Sequence, residues 1–156
     1  MAVRPIPQGY EGAIPYLSCR NAAAALDFYR SAFGATEHMR MMQPDGRVGH
    51  AEIQIGSARI MLADEFPEMG FQSPIALGGT PAGIHLYVED VDAVVARAKA
   101  AGAKVVREPA DQFYGDRSAT LEDPSGHRWF FATHKEDLTP DEIDRRRAAM
   151  EQTEGR

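Results

Sequence analysis

Along this chain the period of apolar and polar positions changes in the same order of steps twice. Ala13 to Cys19 is a short apolar run closed by polar residues, which predicts a strand. Ala22, Ala25, Leu26, Tyr29 and Phe33 then recur at helical spacing, with Asn21 as N-cap and Gly34 as C-cap, so a helix is expected over 22–33. Thr36–Met42, Val48–Ile55 and Ala58–Ala63 read as strands, parted by Pro44-Asp45-Gly46 and the tight Gly56-Ser57 link. The order then repeats. Gly83–Val88 reads as a strand, and Val91–Ala101 as a helix capped by Asp90 and closed by Gly102. Lys104–Glu108, Asp116–Glu122 and His127–Thr133 read as strands, with turns at Tyr114-Gly115 and Asp123-Pro124-Ser125-Gly126.

Each half is therefore βαβββ, the second about 69 residues after the first. The expected fold class is α+β: two βαβββ units, residues 12–64 and 82–135, forming a paired, curved mixed-sheet, barrel-like cleft. Residues 65–81, rich in proline and glycine, read as a linker over the cleft mouth, and residues 1–11 as a loose arm. Thr139-Pro140-Asp141-Glu142 is a capping box with proline at the first helical position, so a C-terminal helix is expected within 138–153. Its Arg145-Arg146-Arg147 run reads as a solvated face.

Composition narrows the function. The net charge of −6 argues against a nucleic-acid footprint, which needs a basic face. No apolar run approaches the ~20 residues of a membrane helix, and residues 1–11 lack the apolar centre of a signal peptide. The expected partners are a small molecule and a second copy of the chain, without nucleic acid or membrane, in the cytoplasm. The one cysteine, Cys19, lies in an apolar strand and reads as a buried structural thiol. No nucleophile elbow, phosphate loop or dinucleotide fingerprint is present.

Strand parity sorts the rest. Leu17, Cys19, Ile53, Ile55, Ile60, Leu62, Ile84, Leu86, Leu121, Trp129 and Phe131 fall on the faces that helices must cover. The opposite faces then carry Tyr16, His50, Glu52, Met61, His85, Tyr87, Arg128 and Phe130, a mostly apolar lining with a few placed polar groups. Tyr114 and Arg117 stand near the cleft mouth, although the parity of Arg117 points to the helix side and a helix-end partner. Trp129 could add a wall only against its parity, and His127, after a turn glycine, should be exposed.

Paired βαβββ units of this size resemble the vicinal oxygen chelate superfamily of glyoxalases, bleomycin and fosfomycin resistance proteins and extradiol dioxygenases. The resemblance is carried by Pro15-Tyr16-Leu17 leading to Leu26-Asp27-Phe28-Tyr29 and Phe33-Gly34-Ala35. It continues in His85-Leu86-Tyr87-Val88, Ala101-Gly102-Ala103 and Asp123-Pro124-Ser125-Gly126-His127. Asp111-Gln112-Phe113-Tyr114-Gly115-Asp116-Arg117 looks like the phosphonate-operon-like, or demethylubiquinone-methyltransferase-like, subgroup. The resemblance implies metal ligands on the first and fourth strands of each unit. Here those points are Ile14, Met61, Gly83 and Phe130, none of which binds a hard or borderline cation. The expectation is thus no metal and no cofactor, with aromatic or amphipathic ligands bound through Tyr16, His50, Glu52, Met61, His85, Tyr87, Tyr114, Arg128 and Phe130. Two alternatives stay open. His50, Glu52 and His85 are candidate catalytic residues, as a displaced metal site of a lyase, isomerase or dioxygenase or as an acid/base group. The chain could otherwise be a non-catalytic interaction module that uses its C-terminal helix.

Overall fold

A computed structural model describes residues 3–154, so the first two residues of the expected N-terminal arm lie outside the described part. Its elements are β1 (Tyr16–Cys19), α1 (Ala22–Phe33), β2 (Thr36–Met42), β3 (Val48–Ile55), β4 (Ala58–Asp64), α2 (Pro74–Leu77), β5 (Gly83–Tyr87), α3 (Val91–Ala100), β6 (Lys104–Asp111), β7 (Asp116–Glu122), β8 (Arg128–His134) and α4 (Pro140–Glu154). They form two four-stranded mixed sheets ordered β1-β4-β3-β2 and β5-β8-β7-β6. In each, a parallel pair at one side (β1 with β4, β5 with β8) continues into antiparallel pairs.

The repeat extends to the hydrogen bonds. Asn21 caps α1 through Ala24 N–H at 3.0 Å, and Asp90 caps α3 through Ala93 N–H at 3.0 Å. The first N–H of α1, on Ala22, donates to the Asp64 carboxylate at 2.7 Å, and its counterpart on Val91 donates to the Thr133 hydroxyl at 2.9 Å. Asp64 is the last residue of the fourth strand of its unit and Thr133 the last but one of its own, so both helices are anchored to the strand that pairs with the first one. Gly34 closes α1 in a left-handed conformation that a side chain would strain.

Three differences from the sequence reading go beyond a residue or two at an element's end. β1 begins at Tyr16 rather than Ala13 because Pro15 has no N–H for the ladder; its carbonyl still accepts from Met61 N–H. β6 runs on to Asp111, past Pro109, because it is an edge strand whose irregular register absorbs the proline. The segment after β4 is more ordered than expected. Pro67–Met69 makes one 3₁₀ turn, Phe66 and Phe71 bond each other's backbone, and Ser73 caps α2.

Both helices and the helix-side faces of both sheets share one core. Tyr29 and Phe33 of α1 pack on Trp129 and Phe131 of β8, with ring centroids 4.8–5.4 Å apart. Asp123, buried in the β7–β8 turn, pins this seam. It accepts Tyr29 Oη at 2.6 Å and Trp129 Nε1 at 2.9 Å on one oxygen, and the Ser125 and His127 N–H groups on the other. His127 is half-buried rather than exposed, because its Nε2 bonds the Ser18 carbonyl at 2.7 Å and so ties the second unit to β1. Trp129 is fully buried and is no wall of any outer cavity.

The sheets do not close on each other. Their helix-side faces converge on the common core, so the opposite faces lead away from it rather than toward one another across a cleft within the chain. We call these the open faces.

Candidate functional site

Ladder partners share a face, so Tyr16, Met61, Glu52 and Met39 form one row across the open face of the first sheet. Met41 and His50 pair in the adjoining row. These side chains are joined by hydrogen bonds. Tyr16 Oη lies 2.6 Å from His50 Nδ1, and His50 Nε2 lies 3.2 Å from Glu52 Oε1. Glu52 Oε2 accepts Tyr10 Oη at 2.6 Å and Arg59 Nη1 at 2.8 Å. Arg59 also lies over the Tyr10 ring, 4.3 Å from its centroid, and bonds the Gly9 carbonyl, so the N-terminal arm is strapped across the Glu52 end. Glu52 is only 5% exposed. Burial alone would raise its carboxyl pKa. The hydrogen bonds from Tyr10, His50 and Arg59 outweigh that and hold it below the usual carboxylate range. Burial and the nearby Glu52 charge both push the Tyr16 phenol up.

Beside Tyr16 a cavity of about 410 Å³ is lined by Gln43, Gly49, Ala63, Phe66, Met69 and Phe71. The linker supplies three of these walls, and Phe71 sits edge-on to Tyr16 at 5.5 Å. The lining carries no formal charge, which suits an uncharged, largely apolar molecule. A wider groove of about 760 Å³ lies on the helix side, among Arg20, Phe28, Arg97 and Ser125. It gathers none of the candidate site residues named from the sequence.

The open face of the second sheet carries His85 and Phe130 in one row and Tyr87 and Ser118 in the next. His85 stands against Tyr87, ring centroids 5.1 Å apart. Tyr87 Oη donates to the buried Asp116 at 2.7 Å, and His134 Nδ1 meets the other Asp116 oxygen at 2.8 Å. Burial would raise the Asp116 pKa; the bonds from His134 and Tyr87 bring it below its ordinary value. His134, between Asp137 and Asp116, has its pKa raised.

Of the residues expected to act together, His50 and Glu52 meet and are joined by Tyr16, while His85 belongs to the other sheet. Among the described residues no three His, Cys, Asp or Glu side chains are grouped as a metal site would need. Met61 flanks Tyr16 and Glu52. Arg128 is half-buried and pairs with Glu122 at 3.2 Å. Tyr114 lies in the β6–β7 turn against Phe113. Arg117 takes the helix-end partner, bonding Asp92 in the first turn of α3 at 2.7 and 2.9 Å. The sequence reading missed Tyr10, Arg59 and Phe71 as members of the first cluster and Asp116 of the second. Arg59 stands two residues before Met61 and so shares its strand parity, and Asp116 shares the alternation of Ser118 and Thr120. No local pattern marks Tyr10 or Phe71.

The donor set does not fit the metal that the resemblance implies. Ile14 and Gly83 offer no ligand, Met61 only a thioether, and Phe130 none. A β-carbon built on Gly83 would fall 2.3 Å from Phe130 Cε2, so an aromatic ring already covers that point of the second unit.

Three comparisons bear on this geometry. The family model described as Glyoxalase/Bleomycin resistance protein/Dioxygenase superfamily matches residues 14–131. An uncharacterized protein of Mycobacterium bovis is 46% identical over 132 residues, 83% of this chain and 87% of that protein. A putative glyoxylase, CFP32, of Mycobacterium tuberculosis is 34% identical over 107 residues, 65% of this chain and 36% of that protein. Among solved structures, TioX from Micromonospora sp. ML1 superposes with a TM-score of 0.61 at 27% identity, covering 83% of this chain and all of that one.

Proposed function

We propose, from the premise that this chain belongs to the glyoxalase/bleomycin resistance protein/dioxygenase superfamily, that it binds a small, uncharged aromatic or amphipathic molecule without a metal ion. The carrying observation is the chemistry of the four ligand points: Ile14, Met61, Gly83 and Phe130 supply no hard donor, and the Phe130 ring lies over Gly83. The apolar cavity that Tyr16 lines, with His50 and Glu52 hydrogen-bonded in turn behind that tyrosine, supports the same reading. The phosphonate-operon-like subgroup and a cytoplasmic setting belong to this proposal too.

A homodimer completes it. Tyr16, Met41, Tyr87 and Phe130 on the two open faces are 46%, 54%, 62% and 40% exposed, a density of aromatic and thioether surface that a second copy would cover. With the open faces leading away from each other, a site with two sheet walls needs the first unit of one chain and the second unit of another. His85, Tyr87, Arg128 and Phe130 would then join from the second copy.

Titration calorimetry with a panel of aromatic antibiotics tests the binding. The expected result is binding by at least one compound, with the same affinity after chelation and after loading with zinc, nickel, manganese or iron. Affinity that appears only on metal loading would overturn the metal-free reading, and binding by none of the panel would overturn the ligand class. Sedimentation of a strict monomer would remove the shared site.

A further inference from the structure

We propose that Tyr16, His50 and Glu52 form a metal-free proton relay, with Tyr16 as the catalytic residue that exchanges a proton with a molecule in the adjoining cavity. The inference rests on the reading of that cavity as the ligand site and adds a reaction to it.

The argument is one of hydrogen-bond direction. Glu52 is paired with the Arg59 guanidinium at 2.8 Å and accepts a second bond from Tyr10 on the same oxygen. An ionised carboxylate only accepts, so the proton between Glu52 and His50 belongs to His50 Nε2. A neutral imidazole with hydrogen on Nε2 is bare at Nδ1. The 2.6 Å contact at Nδ1 must therefore be a donation from the Tyr16 hydroxyl. This is the one arrangement of neutral His50 that satisfies all three groups, and it leaves the lone pairs of Tyr16 Oη free to accept from a ligand. The order hydroxyl, imidazole, carboxylate is that of a nucleophilic triad, with a phenol in the first place.

The step balances without a co-reactant. A weakly acidic hydrogen of the substrate passes to Tyr16 Oη as the phenolic proton passes to His50 Nδ1. The electron pair of the broken bond stays on the substrate, and the imidazolium is held against the Glu52 carboxylate. Reversal returns the proton. Because Glu52 and Arg59 cancel in charge and the lining is uncharged, the substrate is an uncharged, mostly apolar molecule with one activated hydrogen. His50 and Glu52 are positioning residues: they act through Tyr16. The arm residues Gly9 and Tyr10 brace the far end of the relay through Arg59.

Two measurements on the full chain decide it. Long-range nitrogen–proton NMR at neutral pH should find His50 with its proton on Nε2, the signals being assigned by His50→Gln; a proton on Nδ1, or on both nitrogens, overturns the relay. The second probe is 5-nitrobenzisoxazole, whose ring opens when a base removes its one C–H proton, forming a nitrile as the N–O bond breaks to release a phenolate. The native chain should open it above the buffer rate. Tyr16→Phe and His50→Gln should each lower kcat about 100-fold, the low end of general-base contributions, with KM nearly unchanged because the ring or the cavity wall remains. Native-like kcat in Tyr16→Phe, or no rate above buffer in the native chain, overturns the relay. Saturable turnover untouched by either substitution would refute the relay while leaving the ligand-site reading intact. Tyr16→Phe keeps a half-exposed ring, so a folding defect in His50→Gln would still leave Tyr16→Phe and the native tautomer to decide.

Discussion

Replacing Asp123 by Asn should loosen the seam between the two units more than any change of one atom elsewhere. Asp123 is 4% exposed and receives four donors, two on each oxygen. An amide has one acceptor oxygen. Turned toward the Ser125 and His127 N–H groups, it sets its NH₂ against Tyr29 and Trp129. The Tyr29 hydroxyl can reverse and accept, but the indole N–H only donates. One buried donor is then orphaned, at about 1–3 kcal/mol, and the remaining bonds lose their charge assistance. The expected total is about 2–4 kcal/mol, a fall in Tm of roughly 5–15 °C for a chain of this size. Trp129 is the sole tryptophan, so its fluorescence reports the site directly during urea unfolding at fixed protein concentration. Tyr29→Phe should cost about 1.5–3 kcal/mol, and the double variant should fall short of the sum because both changes strike one network. An Asp123→Asn protein within about 0.5 kcal/mol of the native chain would refute the assignment of this carboxylate as the pin.

Two further outcomes follow from the buried groups. Glu52 and Asp116 have pKa values lowered in the folded chain, so each adds stability above its unfolded value, near pH 4, that is lost as pH falls through the folded value. Urea midpoints should therefore drop less between about pH 6 and about pH 3 in the Glu52→Gln/Asp116→Asn variant than in the native chain; an equal drop would place the acid sensitivity elsewhere. Burial, with the nearby Asp123 charge, pushes the Cys19 thiol up to about 12, so it should react with Ellman's reagent only as fast as the chain unfolds. Native-state labelling at the rate of a free thiol would show that the seam opens locally.

Most of the architecture was legible because it depends on local period and on the repeat. The helix bounds of α1, the Asn21 and Asp90 caps, the strands 36–42, 48–55 and 116–122 and the C-terminal helix all follow from spacing and turn residues. Parity put Tyr16, His50, Glu52 and Met61 on one face, where they stand. Parity says nothing of distance between sheets. It grouped His85 with His50 and Glu52, and the topology separates them. Nor could it find Tyr10, which reaches Glu52 from 42 residues away along an arm without periodic pattern.

The sequence by itself determined two βαβββ units in equivalent register, because a strand or helix needs only its own alternation and caps. It also placed Ile14, Met61, Gly83 and Phe130, none of them a hard donor, at the points where the resemblance implies cation ligands, because residue identity at a repeat position does not depend on folding. Only the tertiary structure decided that the units join through Tyr29, Asp123 and Trp129 with their open faces turned outward, since packing of aromatic volume across 94 residues of chain leaves no periodic trace. That Tyr16, His50 and Glu52 meet in one chain of contacts was likewise decided in three dimensions, where Arg59 and Tyr10 reach a buried carboxylate.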